Sequence, residues 1–179
     1  MTSDPASPGG DLASAPMDEL HVARFRRAAA RFVTGITVVS TRVGATDHAM
    51  TANAFTSVSL DPVLVLVCVE QEARFHDAIE AAGVWGVSIL DESARAVSQW
   101  LATRGRPLHG QLDRVPHHHG EVTGVPLVDQ SLATFECRTT ALHPGGDHTI
   151  VVGEVVSVEL PDRPGRPLVY HRGSYTHLA

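Results

Sequence analysis

The chain has no lysine; all 14 of its basic residues are arginine. That excludes any mechanism run through a lysine amine: Schiff-base chemistry, pyridoxal-phosphate lysine adducts and the Walker A phosphate loop. Basic charge as a whole is in deficit. Fourteen basic against 20 acidic residues leave a formal net charge of −6, which disfavours a nucleic-acid binder that works by neutralising phosphates. Cysteine is scarce. Cys68 and Cys137 are the only two, too few for a disulfide framework. Each lies in an apolar run that reads as buried strand, so free core thiols are favoured over a disulfide or a redox pair. No apolar run approaches the roughly 18 residues of a membrane helix. The N-terminus, MTSDPASPGGDLASAP, lacks the basic and apolar regions of a secretory signal. The expectation is a soluble cytoplasmic protein with no membrane or nucleic-acid partner. The common enzyme signatures are missing too: no G-x-G-x-x-G after a strand, no H-E-x-x-H, no G-x-S-x-G and no C-x-x-C.

What is present suits one domain. Of 179 residues, 43% are hydrophobic and 19% charged, enough for a real core. Residues 1–17, rich in Pro, Gly, Ser and Ala, read as a disordered tail, and 18–179 as the domain. Leu20, Phe25, Ala28, Ala29 and Phe32 recur near helical spacing, with Asp18 as N-cap and Gly35 as stop. The period then changes. ITVVSTR (36–42) reads as a strand, GATD as a turn, and residues 48–60 as short extended pieces broken at Asp61-Pro62. VLVLVCVE (63–70) is almost wholly apolar and fits a strand covered on both faces. A helix over 73–83 ending at Gly83, a strand over 84–90 and a helix over 91–104 follow. Residues 105–131 read as a long irregular stretch. Strands over 132–143 and 148–160 flank the turn Pro144-Gly145-Gly146-Asp147, and short extended segments close the chain. About seven strands and three helices, with hairpins rather than βαβ alternation, predict a mainly antiparallel α+β fold, a barrel with flanking helices. Three helices cover little strand surface, so a dimer interface is expected.

Three features invite a chemical reading. His117, His118 and His119 are consecutive and could bind a metal with His109 or Glu121, but metal ligands usually sit on rigid elements. A solvated loop is the favoured reading, and no metal is assigned. Trp100 suits a core residue or a stacking platform equally well. Residues 48–60 are rich in small and hydroxylated side chains. Ala52 and Ala54 would let a flat ligand approach the backbone there, while a polar edge strand with a bulge accounts for the same composition.

That last segment carries a family resemblance. FRRAAARFVTGITVVST (25–41), MTANAFTSVSLDPVLVLVCVE (50–70), GDHTIVVGEV (146–155) and YHRGSY (170–175) resemble the short-chain flavin reductases. These are the reductase components of two-component flavin-dependent monooxygenases. The likeness runs from Phe25 to Leu178. It implies a homodimeric split β-barrel that reduces FAD, with FMN as the alternative, using NADH, or NADPH, and passes the reduced flavin to a partner monooxygenase. It also implies site residues. Thr51, Ala52, Asn53 and Ala54 would line the isoalloxazine ring, with Ser57 and Val58 near the ring and ribityl chain. Cys68, Val69 and Arg74 would lie on the phosphate side, and Trp100 near the adenine or the dimer partner. His148 would stand beside the nicotinamide, and Tyr170, His171, Arg172, Gly173 and Tyr175 would help hold NADH. In such a site hydride passes from nicotinamide C4 to flavin N5, and the protein aligns the rings. His148 is then a positioning residue, although a histidine capping the 144–147 turn explains it as well. The alternatives are a flavin-binding module without reductase activity, a metal-binding protein using the three histidines, and a barrel enzyme with another flavin-linked reaction.

Overall fold

The computed structural model describes residues 18–107, 109–162 and 164–178. The expected tail, 1–17, lies outside them. The first helix, α1 (Glu19–Ala29), starts where the sequence predicts, with Asp18 Oδ1 accepting the Leu20 N–H at 3.1 Å. It ends at Ala30 rather than Gly35. No residue of α1 is buried, and Leu20, Phe25 and the nearby Phe32 are exposed. The apolar side chains of this helical spacing therefore meet no core among the described residues.

Strand β1 (Thr34–Gly35) is followed by the hairpin of β2 (Thr37–Val43) and β3 (Thr46–Ala52). Next come β4 (Phe55–Leu60), β5 (Val63–Glu70), α2 (Arg74–Ala82) and β6 (Val84–Leu90). Gly83 ends α2 at φ 65°, a left-handed cap that favours glycine. A 3₁₀ turn (Glu92–Ala94) leads into α3 (Arg95–Ala102), the helix expected over 91–104 in two parts. Residues 105–131 are not wholly irregular. They contain β7 (His117–His119), paired antiparallel with β8 (Pro126–Val128), so the three histidines stand on a strand and not in a solvated loop. The short strand escapes sequence reading because its polar residues carry no apolar alternation. Long strands β9 (Ser131–Gly145) and β10 (His148–Glu159) form the predicted hairpin, and β11 (Val169–His171) and β12 (Ser174–Thr176) form a last one.

Seven strands make one antiparallel sheet in the order β3-β2-β6-β9-β10-β5-β4. Its two edges, β3 and β4, are joined by Asn53 and Ala54 alone. Two residues span at most about 10 Å from Ala52 to Phe55, so the sheet must curl until its edges meet. Inside the curl lies one cluster of Val39, Val65, Val67, Val69, Trp85, Val87, Cys137 and Val151, closed by Phe75 and Ile79 of α2. On the outer face a second cluster joins Val38 and Leu90 to Val97 and Leu101 of α3 and to Leu112, Val115 and Val128. Strand β2 is buried on both sides because Val38 and Val39 point to opposite faces. Strand β5 is not. Val65, Val67 and Val69 are buried, but the alternate residues Leu64, Leu66 and Cys68 are only half-covered. Its second apolar face, expected to be covered, is left half-open by the described residues.

Both cysteines are free. On the intervening strand β10, Cys68 pairs with Ile150 and Cys137 with Val155, so the two cysteines are two strand spacings and five residues of register apart, far beyond disulfide reach. Burial and the neighbouring Glu136 push the Cys137 thiol up to about 12, and burial raises that of Cys68. Neither is a ready nucleophile.

Candidate functional site

The β3–β4 connection runs between two depressions in the surface. One is a cavity of about 420 Å³ walled by His48–Thr51 on one side and by Arg74, Arg104, Arg106 and Gln111 on the other. The second is a shallower, mainly apolar groove of about 540 Å³ bounded by Asn53, Ala54, Thr56, Leu66, Cys68 and Tyr170, with Phe25 and Phe32 at its rim. The chain thus passes from a basic wall to an apolar one within six residues.

The basic wall is built by the stretch after α3. Arg106 donates to the Ala49 carbonyl and, at 2.9 Å, to that of Thr103. Arg74, the first residue of α2, donates to the Arg106 carbonyl. Arg104 Nη2 meets both carboxylate oxygens of Glu70, at 2.9 and 3.0 Å. Trp100 Nε1 donates to the Gln111 carbonyl at 2.8 Å and so fixes the far end of the same stretch. The Arg106 Nε is buried and has no hydrogen-bond partner among the described residues. Burial, and then the charge of Arg74, hold the Arg106 guanidinium below its ordinary value. Three guanidinium groups line one cavity; with Arg104 paired to Glu70, Arg74 and Arg106, the latter with a donor to spare, make an arrangement that an anion would complete.

The residues of the predicted ring-lining segment have different fates. Thr51 borders the basic cavity, but its hydroxyl is committed to the Ser98 carbonyl at 2.7 Å. Ala52 turns inward, 7% exposed, so its methyl belongs to the core. Val69 is wholly buried in the same cluster. Asn53 and Ala54 are exposed and border the apolar groove. The Ala54 carbonyl accepts the Cys68 N–H at 3.0 Å. Ser57 and Val58 lie on edge strand β4, where a register shift between Ser57 and Ser59 makes Val58 a bulge.

His148 opens β10 across from Glu70 on β5 and Gly145 on β9. Its Nδ1 lies 2.7 Å from Asp147 Oδ1, and that hydrogen bond holds the Asp147 carboxyl below its ordinary value. Tyr170 and Tyr175 face each other across the β11–β12 hairpin with rings 5.5 Å apart, edge to face. Its two-residue turn, Arg172 (φ 51°) and Gly173 (φ 80°), is of the left-handed kind that suits the twist of a hairpin. The Arg172 N–H donates to the Ala30 carbonyl, tying the hairpin to the end of α1. His171 is half-buried on the same strand. Tyr175 reaches Ser98 Oγ at 2.9 Å and lies under Arg95.

Residues 29–179 match the flavin reductase like domain. The chain belongs to the flavin reductase family. The reductase component of 4-hydroxyphenylacetate 3-monooxygenase from Thermus thermophilus is 44% identical over 154 residues, 86% of this chain and 95% of that protein. Among solved structures, BorF, the flavin reductase component of a bacterial two-component tryptophan halogenase, superposes with a TM-score of 0.82 at 43% identity, covering 88% of this chain and 98% of that one. The Streptomyces globisporus NADH:FAD oxidoreductase SgcE6, in complex with NAD and FAD fragments, gives 0.84 at 34% identity over 93% and 98% of the two chains. In this member of the flavin reductase family Arg74 is the cavity-facing cation that sequence reading finds. Arg104, Arg106 and Gln111 are missed. The available signal was the pair of arginines around Gly105 directly after a helix, a spacing that cannot place them opposite Arg74.

Proposed function

We propose that this chain is an NADH-dependent flavin reductase that reduces FAD, and FMN less well, and releases the reduced flavin to a monooxygenase component. The observation that carries the proposal is the pairing of the Arg74–Arg106 cavity with the apolar groove across residues 51–54. A flavin dinucleotide has the same two halves, an anionic pyrophosphate and a flat apolar ring. The guanidinium groups of Arg74 and Arg106 would hold the phosphates, and the exposed backbone of Asn53 and Ala54 would meet the ring edge. When bound together, flavin and nicotinamide supply the redox chemistry, hydride passing to flavin N5. The protein aligns and shields them. His148, held by Asp147, would position the nicotinamide, with Tyr170, His171 and the Arg172-Gly173 turn around the nucleotide.

The working form in this proposal is a homodimer with a split-barrel fold. The exposed apolar face of α1, the half-covered face of β5 and the exposed Leu60 and Val63 are what a second copy would bury. We place the activity in the cytoplasm, with the NADH it consumes.

The test is NADH consumption by the purified chain with FAD, FMN or neither. Flavin-dependent turnover, faster with FAD, supports the proposal. Flavin binding without any NADH consumption would instead mark a non-catalytic flavin-binding protein.

A further inference from the structure

The histidine strand lies outside the flavin reading. Along β7, His117 and His119 share one face and His118 takes the other. His118 reaches Asp129 at 2.8 Å and Glu159 at 3.0 Å. His117 and His119 instead converge on Asp47, which stands near the start of β3, 70 residues earlier in the chain. His119 Nε2 is 2.9 Å and His117 Nε2 3.9 Å from Asp47 Oδ2. All three ligand atoms lie within 4.8 Å of one another. Zinc ligands at about 2.0–2.1 Å from the ion stand roughly 3.4 Å apart in a tetrahedron. The two distances to Asp47 bracket that value.

Hydrogen bonding prepares the set. His117 Nδ1 lies 2.7 Å from the Val115 carbonyl. A carbonyl only accepts, so Nδ1 carries the proton, and Nε2 of the neutral ring presents its lone pair toward Asp47. This carbonyl-backed imidazole is the usual outer support of a metal-binding histidine. Asp47 Oδ1 is buried and accepts no hydrogen bond from any described residue. It faces Arg42 Nε at 3.6 Å, leaving Oδ2 to the histidines. The β7–β8 ladder, His117 to Val128 and His119 to Pro126, supplies the rigid element that a flexible loop would lack.

We propose that Asp47, His117 and His119 bind one divalent transition-metal cation, with zinc as the representative ion. Two imidazoles and one carboxylate suit zinc, cobalt or nickel and not the all-oxygen preference of magnesium or calcium. Three protein ligands leave a coordination position for water. The ion would clip the β2–β3 hairpin to the strand that ends the 103–116 segment, the segment bearing Arg104 and Arg106. This inference does not rest on the flavin reading, and its test does not use flavin.

The test uses the full chain without a histidine tag, stripped with a chelator and then dialysed against zinc. Metal content after gel filtration and the thermal midpoint with and without zinc are the readouts, with cobalt absorption as a spectroscopic reporter. One zinc per chain, a midpoint that rises with zinc and the intense visible bands of low-symmetry cobalt are expected. His119→Gln and Asp47→Asn should weaken zinc binding by about tenfold or more, while their metal-free melting stays near that of the parent. His118→Gln, on the opposite face, should bind as the parent does. Zinc retention no greater than in the His117→Gln/His119→Gln double variant would overturn the site. Equal loss in His118→Gln would also overturn it, by showing an unstructured histidine tract at work.

Discussion

Gly153 of β10 lies flat against the indole of Trp85 inside the curl of the sheet. A β-carbon built there would stand 2.6 Å from the Trp85 ring. Trp85 is fully buried, and β10 shifts register against β9 between Val152 and Gly153, so the ring has nowhere to retreat. Gly153→Ala is expected to cost about 1–3 kcal/mol through overpacking. Chemical denaturation of the two proteins checks it, and an unchanged midpoint would contradict it.

Glu136 makes a second structural prediction. It is 1% exposed and accepts the Val122 N–H, the Thr123 N–H and the Thr123 hydroxyl at 3.2, 2.5 and 2.6 Å. Burial works against its charged form. The hydrogen bonds from Thr123, Val122 and Ser157 outweigh burial and hold the carboxyl below its ordinary value. A carboxyl depressed in the folded state contributes stability above its unfolded pKa, and that contribution fades as pH falls through the folded one. Glu136→Gln should therefore destabilise the protein by about 1–3 kcal/mol near neutrality, and the gap should narrow in acid. Thermal melts across the pH range decide it.

These two positions show how legibility divides. Strands β5 and β6 stand at 63–70 and 84–90 as the sequence predicts, because unbroken apolar runs between turn residues are a local signal. The partner of a small residue is not local. Nothing around Gly153 announces Trp85, 68 positions earlier. Likewise the family resemblance singles out Arg74, but Arg104 and Arg106 reach the same cavity only through the fold. Ala52 and Val69, read as site residues, point into the core because strand alternation assigns a face only once the register is known. The apolar spacing of α1 is legible in the sequence, but what covers it is not, and among the described residues none of its side chains is buried.

Arg74→Met tests the basic cavity. Removing a charge-assisted hydrogen bond of about 1.5–3 kcal/mol should raise the KM for FAD by roughly ten- to a hundredfold. Riboflavin, which carries no phosphate, should be reduced as before. An equal loss with both would mean that the substitution damages the fold and not the phosphate contact.

His148→Ala tests the nicotinamide side. The KM for NADH should rise several-fold while the dissociation constant for oxidised FAD changes little. An unchanged KM for NADH would return His148 to its local role beside Asp147.

The most direct test of the account is anaerobic rapid mixing of the purified protein and FAD with NADH, following the loss of the oxidised-flavin absorbance, with FMN and NADPH in parallel. The account predicts rapid bleaching, fastest with FAD and NADH. Flavin that binds but stays oxidised with every nucleotide would contradict it.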